Sequence, residues 1–281
     1  MDLIHATDDE QKRLWNSRAA CAWVDAQESL DRMLQPFEQL LVDAVAAESR
    51  RAVLDVGCGT GGTTVAVARL LGANGSSIGI DISEPMITAA RARAEREHVP
   101  ARFICADAQV HAFEPASVDM IISRFGVMFF SDPTQAFANL HRAATRDATL
   151  RCIAWRSGAD NPFMTTAERA AAPLLPNLPA RQPDAPGQFA FANDQRVNTI
   201  LAQSGWIDID IRPIDVDCAL PEEELTPYLT RFGPVGRVLD EADELTRARV
   251  IETVRAAFEP FVHSSDVRFT AACWMIAARK R

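Results

Sequence analysis

The chain has 281 residues, of which 48% are apolar and 24% charged, and its formal net charge is −9 at neutral pH. This balance is typical of a globular protein with one large domain or a domain with a cap. The negative charge argues against a nucleic-acid partner, which requires a basic surface. No apolar run approaches the roughly 20 residues that span a bilayer, so we expect no membrane partner.

The six cysteines are scattered and form neither a C-x-x-C pair nor a Cys/His cluster. Isolated thiols in apolar runs are typically reduced and buried. The N-terminus is polar and acidic, unlike a secretory signal. We therefore expect a cytoplasmic protein without disulfides or structural zinc.

Residues 1–47 are predicted to form an N-terminal helical cap, with the helical pattern beginning at Asp8. Apolar residues recur at three- and four-residue spacing from Leu30 to Val45. Pro36 should kink this helix or begin a second one. Trp15 and Trp23 lie about two helical turns apart and would share one face, as substrate-lining rings or as ordinary packing residues.

Residues 51–62, RAVLDVGCGTGG, join a short apolar run to a glycine-rich turn. A buried strand, such a turn and a following helix form a nucleotide-binding arrangement, because glycine lets backbone N–H groups approach a ligand. Gly57, Gly59 and Gly62 satisfy the dinucleotide fingerprint G-x-G-x-x-G. The spacing alone therefore leaves an NAD(P)-dependent oxidoreductase open.

The longer pattern DVGCGTG resembles the first motif of the class I S-adenosylmethionine-dependent methyltransferases. Asp55, two places before the first glycine, is an acid that Rossmann dehydrogenases usually lack. The resemblance implies that Asp55, Gly57, Gly59 and Gly61 bind S-adenosylmethionine, with S-adenosylhomocysteine as the product.

Strands and helices alternate after the glycine turn, which predicts an α/β fold. The second strand, 77–81, ends at Asp81, where a carboxylate accepts hydrogen bonds from both ribose hydroxyls of an adenosine ligand. Ile82 would pack on the adenine face. Ser83 is expected to cap the helix that follows.

Asp107 and Ala108 follow the third strand, 101–106. The sequence A-D-A at this point resembles the third motif of the same family, whose acid accepts a hydrogen bond from the adenine amino group. A loop aspartate that closes an Asx turn is the alternative for Asp107.

The fourth strand, 118–123, leads into residues 124–130, RFGVMFF. This stretch resembles the fourth motif of small-molecule methyltransferases related to the quinone C-methylating enzymes. Its start lies at the ligand-facing edge of the sheet. The expected cofactor contacts are Ser123 and Arg124, and the expected acceptor contacts are Phe125, Met128 and Phe129. Core packing explains Met128 and Phe129 equally well.

The pattern loosens beyond the fifth strand, 148–155. Prolines at 173, 176, 179, 183 and 186 predict an ordered excursion over the sheet, after which Asn193 would cap a helix that ends before Gly205. A sixth strand, 207–216, has acids that alternate with apolar residues, which is typical of a solvated edge strand and not of a metal site. A seventh strand is predicted at 267–278.

The predicted fold is a Rossmann-like, seven-stranded, mostly parallel sheet with an antiparallel last strand and a helical cap. The predicted divisions are the cap at 1–47, a cofactor-binding core at 48–156, a cap insertion at 157–206, and completion of the sheet at 207–281 with a helical insertion at 221–263.

The implied reaction is in-line transfer of a methyl group to O, N or C of a small-molecule acceptor in secondary or quinone-type metabolism, which needs orientation and exclusion of water but no metal. A general base is needed only if the acceptor must lose a proton. The weak candidates are His111, His141 and His263, and the catalytic residue stays unassigned.

Two alternatives remain. One is the NAD(P)-dependent oxidoreductase, against which stands the lack of a Tyr-x-x-x-Lys pair. The other is a non-catalytic S-adenosylmethionine-binding protein. The sequence does not distinguish a monomer from a homodimer.

Overall fold

The structure is a computed structural model that describes residues 10–182 and 184–281, and for residues 18 and 19 the backbone alone. The first two positions of the predicted N-terminal helical region, 8 and 9, and the proline at 183 lie outside the described residues.

Helices lead into the sheet from the N-terminal side. Residues 10–15 are helical, and α1 (Arg18–Asp25) and α2 (Gln27–Ala47) follow. Of the two outcomes predicted for Pro36, a kink or a second helix, the second does not occur, because α2 runs through the proline. Buried residues on both sides of the proline, among them Met33 and Phe37, hold α2 in place as one element.

A mixed sheet occupies the centre of the described part of the chain. Its strand order is β3-β2-β1-β4-β5-β8-β6, and a short β7 pairs with β8. The strands are β1 (Ala52–Val56), β2 (Ser76–Asp81), β3 (Arg102–Cys105), β4 (Val118–Arg124), β5 (Ala144–Trp155), β6 (Ile207–Pro221), β7 (Val262–His263) and β8 (Asp266–Arg279).

Strands β1 to β5 pair in parallel, whereas β8 lies antiparallel between β5 and β6. The predicted mostly parallel sheet with an antiparallel last strand is therefore confirmed, and the two-residue β7 is an addition to it. The chain runs from β1 outward to β3 and then returns to β4 on the other side of β1. The carboxyl ends of β1 and β4 thus flank a topological switch point, where ligands bind in open α/β sheets.

The remaining helices are α3 (Gly62–Leu71), α4 (Glu84–Arg96), α5 (Pro133–Ala143), α6 (Pro162–Ala171), α7 (Asp194–Gln203), α8 (Leu225–Arg231), α9 (Gly233–Leu239) and α10 (Glu244–Ala257). Both predicted caps are confirmed. Ser83 Oγ accepts a hydrogen bond from the Met86 N–H, and Asn193 Oδ1 accepts one from the Arg196 N–H. Helix α6 was not predicted. None of the described helices is long and apolar enough to cross a membrane.

The fifth strand begins earlier than predicted. Ala144 already pairs with Val118, and the register then shifts before Thr149 pairs with Met120. Residues 145–147, which precede the predicted strand, form this irregularity, with Asp147 at a φ of 60°. A turn sequence has been absorbed into the strand as a bulge.

Candidate functional site

A cavity of about 1390 Å³ lies at the carboxyl ends of β1, β2 and β4. Val56, Asp81 and Arg124 line it at these strand ends. Its other walls are formed by residues of the N-terminal helices, α6, the described residues of the segment 179–193 and the α8–α9 region. The cavity therefore lies at the topological switch point and is covered by elements from both ends of the chain.

The glycine turn presents its backbone to this cavity at Gly59. Its φ is 55°, and a Cβ atom built on it would meet nothing closer than 3.8 Å. At Gly61 a Cβ atom would lie 2.9 Å from the Phe103 ring, and Gly61 is not among the described residues that line the cavity. Gly59 thus leaves space for a ligand, whereas Gly61 is required for packing beneath α3. Gly57 lines the cavity where its backbone crosses that of Gly126.

Asp81 connects the glycine turn to the loop after β2. One carboxylate oxygen accepts a hydrogen bond from the Gly59 N–H and the other from the Ser83 N–H, each at 2.9 Å. Burial raises the pKa of Asp81, and these backbone donors oppose that rise. The carboxylate lines the cavity and keeps lone pairs for further donors.

Ile82, Asp107 and Ala108 also line the cavity. Asp107 Oδ1 accepts a hydrogen bond from the Gln109 N–H at 2.8 Å, so the Asx-turn alternative is realised by one oxygen. Asn16 fastens the N-terminal segment to this edge. Its side chain donates to the Ile82 carbonyl and accepts from the Glu84 N–H, each at 3.0 Å.

Asp55 lies under the turn and is only 1% exposed. The Thr64 hydroxyl, in α3, donates a hydrogen bond of 2.7 Å to its carboxylate. Burial raises the pKa of Asp55 to about 6, against the effect of this hydrogen bond. Asp55 therefore ties β1 to α3 at the floor of the cavity.

Ser123 has a structural position. It is fully buried and is not among the described residues that line the cavity. Its hydroxyl donates to the Val56 carbonyl at 2.7 Å and accepts from the Gly126 N–H at 3.1 Å. We reassign Ser123 from a cofactor contact to a residue that holds the ends of β1 and β4 together.

Arg124 does line the cavity, and it anchors α2. It donates a hydrogen bond to the Leu34 carbonyl at 3.3 Å and lies 4.0 Å from a carboxylate oxygen of Asp31. Asp31 is also paired with Arg93 of α4, which donates to the Thr60 carbonyl in the glycine turn. This network connects the N-terminal helices to both ends of the predicted cofactor site.

Aromatic rings form one wall of the cavity. Phe125 has a φ of 62°, an uncommon value for a bulky residue, and stacks on Trp155 with ring centroids 4.6 Å apart. Met128 is 1% exposed, and its sulfur lies 3.4 Å from the Trp155 backbone nitrogen. Met128 thus serves the core as well as the cavity lining.

The rings of the two N-terminal tryptophans contact each other, although the single helix that their spacing assumed is interrupted at Asn16 and Ser17. The Trp15 ring lies 6.2 Å from that of Trp23 and 5.1 Å from that of Phe129, edge to face in both cases. All three rings line the cavity. The structure therefore brings together all five residues predicted to contact the acceptor.

The histidines proposed as base candidates lie elsewhere. The His111 ring packs on Phe113, His141 packs on Trp206, and His263 is exposed in β7. None of the three is among the described residues that line the cavity. We set them aside, because a base must reach the proton that it removes. The described residues contain no group of three His, Cys, Asp or Glu side chains that could hold a metal ion.

Several cavity residues carried no sequence signal. They come from α6, the segment 179–193 and the α8–α9 region, and include Met164, Glu168, Arg181, Tyr228 and Arg237. No motif marks them, and only the prolines that predicted an excursion over the sheet and the helical insertion predicted at 221–263 indicated that these parts of the chain form a cap.

Comparisons with known proteins agree with this geometry. A family model described as a methyltransferase domain matches residues 53–147. Demethylmenaquinone methyltransferase of Lactiplantibacillus plantarum is 28% identical over 182 residues, which are 61% of this chain and 76% of that protein. Aklanonic acid methyltransferase DauC of a Streptomyces species is 34% identical over 104 residues, which are 37% of this chain and 47% of that protein. The match thus spans about three quarters of the first relative and about half of the second.

The fold also has counterparts among solved structures. The YcgJ protein from Bacillus subtilis superposes with a TM-score of 0.56 at 16% identity, covering 87% of this chain and 97% of that one. At this identity the likeness concerns the fold. The matched family segment contains the glycine turn, Asp81, Asp107 and Arg124.

Proposed function

We propose that the chain is a class I S-adenosylmethionine-dependent methyltransferase related to the quinone-methylating enzymes, and that its acceptor is a large apolar molecule held against the aromatic wall of the cavity. It is an enzyme of small-molecule methylation whose cofactor is S-adenosylmethionine. The observation that carries the proposal is that one cavity joins the glycine turn to five predicted acceptor contacts.

The residues at the sheet edge fit this cofactor. The open space at Gly59 would accept a ligand that lies close to the backbone. We assign the ribose hydroxyls to Asp81, the adenine face to Ile82 and the adenine amino group to Asp107, with Ala108 as a further cofactor contact. The support is chemical, because each carboxylate retains acceptor capacity directed by fixed backbone donors.

The volume leaves room for a second ligand. Pockets for single ligands usually occupy about 300–1,000 Å³, and this cavity measures about 1390 Å³. Cofactor and acceptor would therefore share it. Quinone-type and other secondary metabolites are our first acceptor candidates, since two relatives are named for demethylmenaquinone and aklanonic acid.

When bound, the cofactor supplies an electrophilic methyl group on a positively charged sulfur. The residues of this chain bind, orient and exclude water, which is how proximity lowers the barrier of a displacement. Phe125 is fixed by its stack on Trp155, and Trp15 closes on Phe129. These rings would hold the acceptor and keep the reacting atoms dry.

The described cavity lining contains no histidine. Tyr228 does not serve as a base either, because burial raises its pKa and its hydroxyl lies 3.6 Å from the Met164 sulfur. We infer that the acceptor brings an atom that is already nucleophilic, such as a carboxylate, a phenolate or a stabilised carbanion. Such an acceptor needs positioning and no general base.

The oxidoreductase alternative is not favoured. A short-chain type of site needs a lysine near its tyrosine, but Lys280 donates to the carbonyls of His141 and Ala144, away from the cavity. Tyr228 packs instead on Phe163 and Phe232.

We also propose a cytoplasmic protein that acts as a monomer or homodimer without nucleic acid. Six free cysteines and a net charge of −9 support this view. Light scattering behind a sizing column would give the oligomeric state.

The test is methyl transfer from methyl-labelled S-adenosylmethionine to demethylmenaquinone, aklanonic acid and a panel of aromatic carboxylates and phenols. We expect a labelled product and stoichiometric S-adenosylhomocysteine with at least one acceptor. Phe129→Ala should lower kcat/KM for that acceptor by about tenfold while S-adenosylhomocysteine affinity is unchanged. Tight binding of the homocysteine compound without transfer to any acceptor would favour the non-catalytic alternative.

A further inference from the structure

The charged residues that line the cavity carry both signs at each end. Three carboxylates at the strand ends lie with the guanidinium group of Arg124. The wall formed by α6, α9 and the described residues of the segment 179–193 carries the acids Glu168 and Asp184 together with Arg181 and Arg237. The ion pairs among these residues decide which charge on this wall is left for a ligand.

Arg181 is held and neutralised by its neighbours. Its Nε donates to a carboxylate oxygen of Glu168 at 2.8 Å, and a terminal nitrogen donates to the Gln188 side chain at 3.1 Å. Its guanidinium also lies over the Phe189 ring, 4.6 Å from the centroid. Glu168 is therefore already committed to Arg181.

Arg237 has no such partner. It is an exposed residue that lines the cavity, and it makes no ion pair or hydrogen bond with the described residues. Asp184, the other acid of this wall, is paired with Arg196 at 3.6 Å. Arg181 thus occupies Glu168 and Arg196 occupies Asp184, so Arg237 has no carboxylate partner among the described residues, and an arginine does not lose its proton.

We propose that Arg237 binds an anionic group of the acceptor and so makes the enzyme select acidic acceptors over neutral molecules of the same shape. The inference rests on the proposed function for the identity of the occupant. A guanidinium donates to a carboxylate or sulfonate in a planar, paired geometry. The aromatic residues of the cavity would reduce the screening of this contact by water. The bound anion is separate from the methylated atom, which must lie near the glycine turn.

The test uses two fluorescent probes that share one ring system. 1-Anilinonaphthalene-8-sulfonate carries an anion, whereas N-phenyl-1-naphthylamine lacks it, and both brighten in apolar cavities. We expect Arg237→Gln to weaken binding of the sulfonate probe about tenfold and to leave the neutral probe unchanged. Arg249→Gln, an exposed arginine of α10 outside the described lining, is the matched control and should change neither affinity.

A second variant should change the affinity for the sulfonate probe in the opposite direction. Glu168→Gln removes the carboxylate that compensates Arg181, so the sulfonate probe should bind more tightly than to the wild type. Unchanged sulfonate affinity in Arg237→Gln would overturn the proposal, because it would show that the charge of Arg237 does not bind the anion. An equal loss of affinity for both probes would also overturn it, because it would indicate a general change of the cavity.

The measurement needs neither cofactor nor turnover. If the probe discrimination is found but S-adenosylhomocysteine does not bind, the charge recognition stands and the proposed function fails. If S-adenosylhomocysteine binds but Arg237→Gln keeps full sulfonate affinity, the proposed function stands and the charge recognition fails.

Discussion

Replacing Asp55 with asparagine is expected to change how the stability of the protein depends on pH. The side chain is 1% exposed and accepts one hydrogen bond from Thr64. Its pKa rises from 3.8 to about 6 because burial disfavours the ionised form. The folded state therefore holds its proton more tightly than the unfolded chain does, and stability is lost as pH rises from about 4 through about 6.

The size of this loss follows from the two pKa values. With the folded carboxyl at about 6 and the unfolded one at 3.8, ionisation at neutral pH costs roughly 3 kcal/mol of the free energy of unfolding. Asparagine does not ionise, so it escapes this cost. Its buried amide nitrogen adds a penalty that is the same at every pH. The free energy of unfolding of Asp55→Asn, relative to wild type, should thus improve by roughly 2–3 kcal/mol between pH 4 and pH 7.5.

The assay is urea unfolding of both proteins at the two pH values, followed by circular dichroism. Burial also raises the pKa values of Asp81 and Glu38. Both residues occur in both proteins, so their contributions to the pH dependence of stability largely cancel in the difference. Thr64→Val should change the free energy of unfolding in the opposite direction. It removes the hydrogen-bond donor that favours the carboxylate, so it should destabilise the protein more at pH 7.5 than at pH 4. A difference between wild type and Asp55→Asn that is the same at both pH values would refute the reasoning.

Two further predictions concern the cofactor edge. Gly59→Ala should weaken S-adenosylhomocysteine binding by tenfold or more, since the added methyl group enters the open space left for the ligand. Gly61→Ala should affect this affinity less, but should lower the free energy of unfolding by about 2–3 kcal/mol, because the added methyl group would lie 2.9 Å from Phe103. Calorimetry and urea unfolding separate the two, and equal effects of both changes would contradict the distinction. Asn16→Ala removes the hydrogen bond of 3.0 Å to the Ile82 carbonyl and should weaken the same ligand about fivefold, and unchanged affinity would show that the N-terminal segment closes without this contact.

Local patterns in the sequence predicted the local structure. Ser83 and Asn193 cap helices with hydrogen bonds to residues three positions ahead, so their role depends on little beyond their own segment. The glycine turn and Asp81 follow one strand each, and parallel pairing of those strands brings them together. The strand pattern, the glycine motif and the family resemblance together therefore predicted this edge of the sheet.

The roles of other residues depend on tertiary contacts that the sequence pattern does not reveal. The position of Ser123 at a strand end suggested a ligand contact, but the pairing of β4 with β1 directs its hydroxyl to the Val56 carbonyl. The juxtaposition of Glu168, Arg181 and Arg237 depends on how α6, the proline-rich segment and α9 pack. Helix α9 lies far beyond the other two segments in the chain, and no motif marks any of the three, so this wall of the cavity could not be derived from the sequence.

The central claim is that the edge formed by the glycine turn and Asp81 holds S-adenosylmethionine. Calorimetric titration of wild type, Asp81→Asn and Asp217→Asn with S-adenosylhomocysteine, and separately with NAD and NADP, tests it most directly. Asp217 is exposed on β6 and serves as the control.

We expect wild type and Asp217→Asn to bind S-adenosylhomocysteine equally and to bind neither nicotinamide cofactor. Asp81→Asn should lose roughly 10- to 100-fold in affinity, as hydrogen bonds to a charged acceptor are worth about 1.5–3 kcal/mol. Tighter binding of NAD or NADP, or full affinity of Asp81→Asn for S-adenosylhomocysteine, would contradict the account.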